Sequence, residues 1–322
     1  MYKAFYNLTR NPFEITPDPA FLFPTRRHNE ALAALYYGVR RQKGFVVMTG
    51  EVGTGKTLLV RCLLQLLGQT NVLFAYVFNT KLSPLEFLQY IAGDFGLPAA
   101  GKSKSEVLLQ LGSFLIDRYR RKLTTVLVID EAHHLSTEVL EEVRLLTNLE
   151  TAQQKLLQIV LMGQPELEMI LDSPELRQLK QRVALRCQLQ PLDHDQTRAY
   201  VLSRLERAGA PPEPPIFTDD AFEKLYEFSR GIPRIINNLC ENSMVNAFAN
   251  ERRPVTGDVI TEVAADFRLI PQAMPEDVAA SAASIEESNE SLLRSLFRMM
   301  RTMDNQPIPA EKPLQATAGR RA

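Results

Sequence analysis

The chain has little cysteine, no long apolar run and almost no net charge, and each shortage removes a class of protein. Three cysteines in 322 residues, Cys62, Cys187 and Cys240, are odd in number, widely spaced and set in apolar stretches. That pattern excludes a disulfide framework and a metal site, and leaves core packing in a reducing compartment. No run of about eighteen apolar residues occurs, so no span across a membrane is expected. The opening Met1-Tyr-Lys-Ala-Phe5 lacks the apolar segment of a signal peptide. A formal net charge of -1 gives no global attraction to nucleic acid or anionic lipid, although local patches stay open. A cytoplasmic protein is expected, with peripheral contact at an inner membrane left open.

What is present is dominated by one stretch, Gly44-Phe-Val-Val-Met-Thr-Gly-Glu-Val-Gly-Thr-Gly-Lys-Thr57, a buried strand running into a phosphate-binding loop. It fits G-x-x-x-x-G-K-[ST] at Gly50, Gly55, Lys56 and Thr57. Gly50, Gly53 and Gly55 are expected to bend the backbone through conformations closed to residues with a Cβ, so that N–H groups from Glu51 to Leu58 turn toward phosphate oxygens. Lys56 reaches the β- and γ-phosphates as a point charge, and Thr57 offers a hydroxyl to Mg²⁺. The apolar helix after it, Leu58 to Leu67, places the phosphates at a helix N-terminus, where the dipole favours them. The four fixed positions also arise by chance, but here they stand between a strand and a helix, the context the chemistry needs.

Strands and helices alternate on both sides of this loop. Apolar runs predict strands over Phe45–Thr49, Val72–Phe78, Thr125–Ile129, Leu157–Met162 and Ala184–Leu189. The run to Ile129 shows no alternation, as expected for a strand buried on both faces of a parallel sheet. The fold class is therefore α/β, a doubly wound sheet with ligands at the carboxyl ends of its strands, where Asn79, Asp130 and Gln164 lie. Before it, residues 1–29 carry aromatics in a proline-broken segment and read as an ordered strap, lying over an adenine or against a sheet edge. Asn29 is the expected cap of the next helix. Residues 30–192 form the nucleotide-binding domain. From Asp193 the pattern is wholly helical, a small domain over 193–268. Residues 269–322 shift to Ala, Ser, Glu and Pro and read as mostly disordered. One island, about 284–303, opens on a Ser284–Glu287 capping box and carries an apolar face, which suits docking on the protein itself, a partner protein or an anionic surface.

The second nucleotide signature is the strand ending in Asp130-Glu131. Asp130 is expected to hold Mg²⁺ through its water shell, and Glu131 to polarise an attacking water. A pair of carboxylates after a buried strand can also be a solvated strand end, and the phosphate loop decides against that. Gln164 is a candidate sensor of the γ-phosphate. Asn79 is a candidate for holding Glu131 in an unproductive rotamer. Arg234, in Gly231-Ile-Pro-Arg234 at the start of a second-domain helix, can reach across a cleft to the γ-phosphate and couple lid angle to nucleotide state. Arg177 and Arg182 suit an arginine finger offered to a neighbouring subunit, or simple surface ion pairs. His28, His133, His134 and His194 do not form a metal-ligand spacing. His133 and His134 read as loop residues after the carboxylate.

The phosphate loop, Val-Ile-Asp130-Glu131-Ala, Gly163-Gln-Pro-Glu-Leu167 and Gly231-Ile-Pro-Arg234 together resemble the AAA+ class of P-loop NTPases. The opening Met1-Tyr-Lys-Ala-Phe-Tyr, Asn11-Pro-Phe13, Pro17-Asp-Pro19, Phe21-Leu22 and His28-x-Glu-Ala-Leu32 is similar to the general secretion pathway protein A (ExeA-type) ATPases and their pilus and exosortase-locus relatives. The resemblance covers about Met1 to Phe267. It implies Asp130 and Glu131 as the Walker B pair, Gln164 as sensor 1, Arg234 as sensor 2, and ATP and Mg²⁺ as ligands. It also implies a self-oligomer that drives an envelope secretion, pilus or exopolysaccharide export apparatus. Larger members continue into a membrane span and a cell-wall-binding domain, and neither is expected here. Two rival functions share the core: a DNA-dependent regulator of the transposition type, favoured by Arg26-Arg27, Arg40-Arg41 and Arg118–Lys122 and opposed by the net charge, and a nucleotide-gated binding module with negligible turnover.

Overall fold

A computed structural model describes residues 2–68 and 71–270. The helix expected at about 284–303, with the tail from residue 271 onward, lies outside these residues. The elements run α1 (Tyr2–Phe5), α2 (Arg26–Arg40), β1 (Phe45–Gly50), α3 (Lys56–Leu67), β2 (Val72–Val77), α4 (Pro84–Asp94), α5 (Lys104–Arg120), β3 (Thr124–Ile129), α6 (Thr137–Leu146), β4 (Gln158–Gly163), α7 (Glu166–Leu171), α8 (Arg177–Lys180) and β5 (Leu185–Leu189). Four helices follow: α9 (His194–Arg207), α10 (Asp219–Ser229), α11 (Pro233–Ala249) and α12 (Gly257–Asp266).

The five strands form one parallel sheet in the order β2-β3-β4-β1-β5. β1 and β4 are buried along their whole length, and β3 along all but its first residue, because helices cover both faces. β5 alternates between half-buried and exposed positions from Leu185 to Gln188, as an edge strand does, and buries only Leu189. The register pairs Thr49 with Gly163, Val77 with Ile129 and Gly50 with Leu189, so the carboxyl ends share one edge and Asp130 and Gln164 follow directly from it. Under one face, α4 to α8 bury Phe87, Ile91, Leu111, Val139 and Leu167 against the strands.

Capping chemistry sets several helix starts. Ser83 with Glu86, Ser103 with Glu106, and Asp193 with Gln196 each form a reciprocal capping box. α2 departs from expectation. Its cap is Thr25, whose hydroxyl accepts from the His28 N–H at 3.2 Å, so Asn29 lies inside the helix and is buried. The strap accordingly ends at Thr25, four residues early.

A second apolar core joins the last four helices to the chain's opening segment: Tyr2, Tyr6, Leu8 and Phe13 pack with Val201, Phe222, Leu239 and Ile260. The strap therefore lies on the helical domain and not on a sheet edge. The Tyr2 hydroxyl donates to Glu241 at 2.7 Å, and the buried Arg204 guanidinium donates to the Pro12 carbonyl at 2.5 Å while covering the Phe21 ring.

Candidate nucleotide site

The loop after β1 closes as an anion nest. Gly53 and Gly55 take positive φ, +83° and +99°. Gly50 does not; it is needed for close approach, since a Cβ there would stand 3.0 Å from Leu189 and from the Thr54 hydroxyl. Lys56 is buried and donates to the Gly50 carbonyl at 2.7 Å and to the Glu51 carbonyl at 3.1 Å. Burial lowers its pKa, against the pull of Glu131 and Asp130. His28 braces the loop from α2. Its Nε2 lies 3.2 Å from the Thr54 carbonyl, an acceptor only, so Nε2 carries the proton and Nδ1 accepts from the Thr25 hydroxyl at 2.6 Å.

Thr57 and Asp130 meet across the site. The Thr57 hydroxyl donates to Asp130 Oδ2 at 3.2 Å, and the Tyr76 hydroxyl donates to the same oxygen at 2.6 Å. Burial and the Asp130 carboxylate raise the Tyr76 phenol, so it stays a donor. Tyr76 was not legible as a site residue. Its only signal is its register beside Val128, two residues before Asp130, and that needs the strand order. The paired hydroxyl and carboxylate oxygens are the hard donors that Mg²⁺ takes.

Glu131 stands in the left-handed region at φ +50°, and a 3-10 turn over Ala132–His134 follows. The turn carries His133 back to β4, where the Gln164 N–H donates to its Nδ1 at 3.3 Å and the Gln164 carboxamide lies 2.9 Å from its Nε2. Nδ1 is also 3.5 Å from Glu131 Oε2. Gly163 leaves room for the neighbouring chain, since a Cβ there would meet the Leu167 side chain at 2.8 Å and the His133 backbone nitrogen at 3.4 Å. His133 and His134 are thus not bystanders of the loop: donor atoms of Glu131, His133 and His134 lie within 4.8 Å of one another, which sequence spacing did not suggest. Asn79 is exposed and its side chain accepts from the Lys81 N–H at 3.2 Å; the neighbour that Glu131 meets is His133.

Arg234 comes to the loop through its backbone. Its N–H donates to the Gly53 carbonyl at 3.3 Å, and a Cβ on Gly53 would stand 2.6 Å from that of Arg234. Gly231 makes the approach possible, with φ +72° and the Leu192 carbonyl 1.7 Å from where a Cβ would sit. Between these parts lies a cavity of ≈ 300 Å³ lined by Glu14 to Asp18 of the strap, Val52, Gly53 and Gly55 to Leu58 of the loop, Glu131, Tyr200, Arg204, Arg234 and Asn237. That is the size of a small-molecule site. Arg177 and Arg182 are exposed, on α8 and just after it, and among the described residues neither is in an ion pair.

Phosphate loop, strand-end carboxylates, parallel sheet and the four helices after it together make the P-loop fold of the AAA+ type. Residues 39–171 match the AAA domain family. The chain is homologous to general secretion pathway protein A of Aeromonas hydrophila, with 45% identity over 261 residues that make up 80% of this chain and 47% of that relative. It therefore spans about half the relative's length. Two solved structures share the fold: the Aeropyrum pernix ORC2 protein in its ADPNP–ADP complexes, with TM-score 0.61, 17% identity and coverage of 80% of this chain and 71% of that one; and the Aeropyrum pernix ORC1 protein in complex with DNA, with TM-score 0.62, 19% identity and coverage of 80% and 69%. No helix among the described residues is long and apolar enough to cross a membrane.

Proposed function

We propose that this protein is a cytoplasmic Mg²⁺-dependent ATP hydrolase that couples nucleotide state to the assembly or operation of an envelope secretion, pilus or export apparatus. The observation that carries the reading is the convergence on one cavity of the phosphate loop, Glu131, Arg234 and the strap. In this reading residues 30–192 bind nucleotide and residues 193–268 act as the lid. Lys56 exchanges its two carbonyl partners for phosphate oxygens. Thr57 and Asp130 hold Mg²⁺, which offsets charge on the phosphates when bound. Glu131 orients and polarises the attacking water, Gln164 detects the γ-phosphate, and Arg234 links its presence to α11. The apparatus is inferred from homology to the secretion protein over part of that relative's length.

The test is ATP turnover by the wild type, Glu131→Gln and Lys56→Ala, each with and without duplex DNA. Loss of the general base should lower turnover by roughly 10²- to 10⁴-fold with ATP still bound. Lys56→Ala should lose ATP binding, and DNA should change nothing. Stimulation by DNA would move the protein to the transposition type, and equal turnover by the wild type and Glu131→Gln would make it a gated binding module.

A further inference from the structure

His133 sits between the two groups that hydrolysis must bring into step. Its side chain is only 6% exposed, whereas that of Glu131 is 44% exposed. Glu131 Oε2 is nevertheless shielded from solvent and has no hydrogen-bond partner; what faces it is His133 Nδ1, at 3.5 Å. The same Nδ1 is the target of the Gln164 backbone N–H. Burial, and then the neighbouring His134, hold the imidazole below its ordinary pKa, so the ring is neutral near pH 7.

A neutral imidazole has one donor and one acceptor, and these contacts ask for opposite choices. A carboxylate at Nδ1 wants a proton there; a backbone N–H at Nδ1 wants a lone pair. The Gln164 carboxamide, 2.9 Å from Nε2, fits either choice by turning over, presenting N–H to a bare Nε2 or its oxygen to a protonated one. Two arrangements follow, each meeting one of the two Nδ1 contacts at the expense of the other. In the first, Gln164 donates its amide N–H to Nε2, and Nδ1–H faces Glu131. In the second, Nε2–H donates to the Gln164 oxygen, Nδ1 accepts from the Gln164 backbone, and Glu131 loses the proton that held it.

We propose that His133 is a positioning residue, a tautomeric relay that restrains Glu131 until Gln164 turns its amide group toward an anionic oxygen of the γ-phosphate. The inference rests on the ATPase reading above. When Gln164 spends its N–H on a phosphate oxygen, its carbonyl is left facing His133. The ring then loses the Nδ1 proton to water and gains one from water at Nε2, with no net change in charge, and Glu131 is free to meet its own water.

The first test is the ¹⁵N spectrum of the histidine rings in the full chain, with His133 assigned by the loss of its signals in His133→Ala; the chain has four histidines. The Nδ1–H form is expected without nucleotide and with ADP, and the Nε2–H form with a non-hydrolysable ATP analogue. Gln164→Ala should leave the ring unchanged by the analogue. One tautomer under all three conditions overturns the relay, whether or not the protein hydrolyses ATP. The second test is turnover in the same variants. Gln164→Ala should lower kcat, and adding His133→Ala should recover roughly tenfold of the loss with ATP affinity unaltered, a coupling of the size found within one hydrogen-bond network. A double variant that is worse than Gln164→Ala by the factor His133→Ala costs the wild type would make His133 merely structural. The ATPase reading itself is reported separately by wild type against Glu131→Gln.

Discussion

Histidine 28 ties pH to the shape of the phosphate loop. Its ring is buried, donates to the Thr54 carbonyl and accepts from the Thr25 hydroxyl, an arrangement that has room for one ring proton and not two. Burial lowers its pKa from 6.5. In the unfolded chain the ring takes a proton as pH falls through 6.5, while in the folded protein it resists. The unfolded state then binds more protons, so stability is complete above 6.5 and declines below it, until the folded ring is protonated too. His133 is lowered in the same direction and adds to the slope. Melting temperatures from pH 7.5 to 5.5 should therefore fall for the wild type and fall less steeply for His28→Gln. Parallel curves would mean that His28 titrates alike in both states. Among the site residues, those with a local signature were legible: Lys56, Thr57, Asp130 and Glu131 stand in fixed order beside a strand, and the structure sets them round one cavity or one hydrogen-bonded cluster. Tyr76 and His133 were not, because what each does depends on which strand lies beside which.

At the scale of elements, the strap is the piece whose course the sequence hides. Its aromatics predict order, and ordered it is, but the group that fixes it is Arg204 on α9, whose partners Pro12 and Glu14 lie 192 and 190 positions away in the chain. On a helical wheel Arg204 reads as one more solvated charge. In the fold it is buried, donates to the Pro12 carbonyl and the Tyr200 hydroxyl, and covers the Phe21 ring at 4.6 Å. The misread start of α2 has a similar origin. Thr25 and Asn29 are both good caps, and the choice falls to Thr25 because Asn29 is drawn into the interior. The strands, by contrast, were legible to within a residue or so, most plainly β1, β3 and β4, whose apolar runs are buried on both faces. Arg204→Ala removes charge-assisted hydrogen bonds and a cation–π contact, a loss on the order of 2 to 4 kcal/mol. Limited proteolysis should then cut within residues 10–25, and ATP affinity should fall, because Glu14 to Asp18 line the cavity. Cutting there with unchanged affinity would show that the strap packs on the lid without serving the site.

For the whole molecule, the cavity is lined by Glu131, Lys56 and Arg234, the proposed base, phosphate-binding lysine and lid arginine, all from one chain, yet α8 and the turn after it expose two more arginines that the cavity does not use. Arg182 has a carboxylate within electrostatic reach: Lys155, first, and Arg182, last, lower the pKa of Glu150. Arg177 is exposed and, among the described residues, in no ion pair, which makes it the candidate to test first for a charge meant for another subunit. A finger in trans makes turnover per subunit rise with protein concentration, and its removal typically costs roughly 10³-fold or more. Mixing separates the two ways of being inactive. Arg177→Ala keeps its own Glu131 but offers no finger, whereas Glu131→Gln offers a finger but cannot activate water. If Arg177 acts in trans, each is nearly inactive alone and the mixture recovers turnover wherever an Arg177→Ala site faces a Glu131→Gln neighbour. The same mixture made with Arg182→Ala should recover little, because that variant starts from nearly full activity. No recovery in either mixture, with each variant still binding ATP and melting like the wild type, would exclude both arginines as fingers in trans and remove the reason for expecting an oligomer.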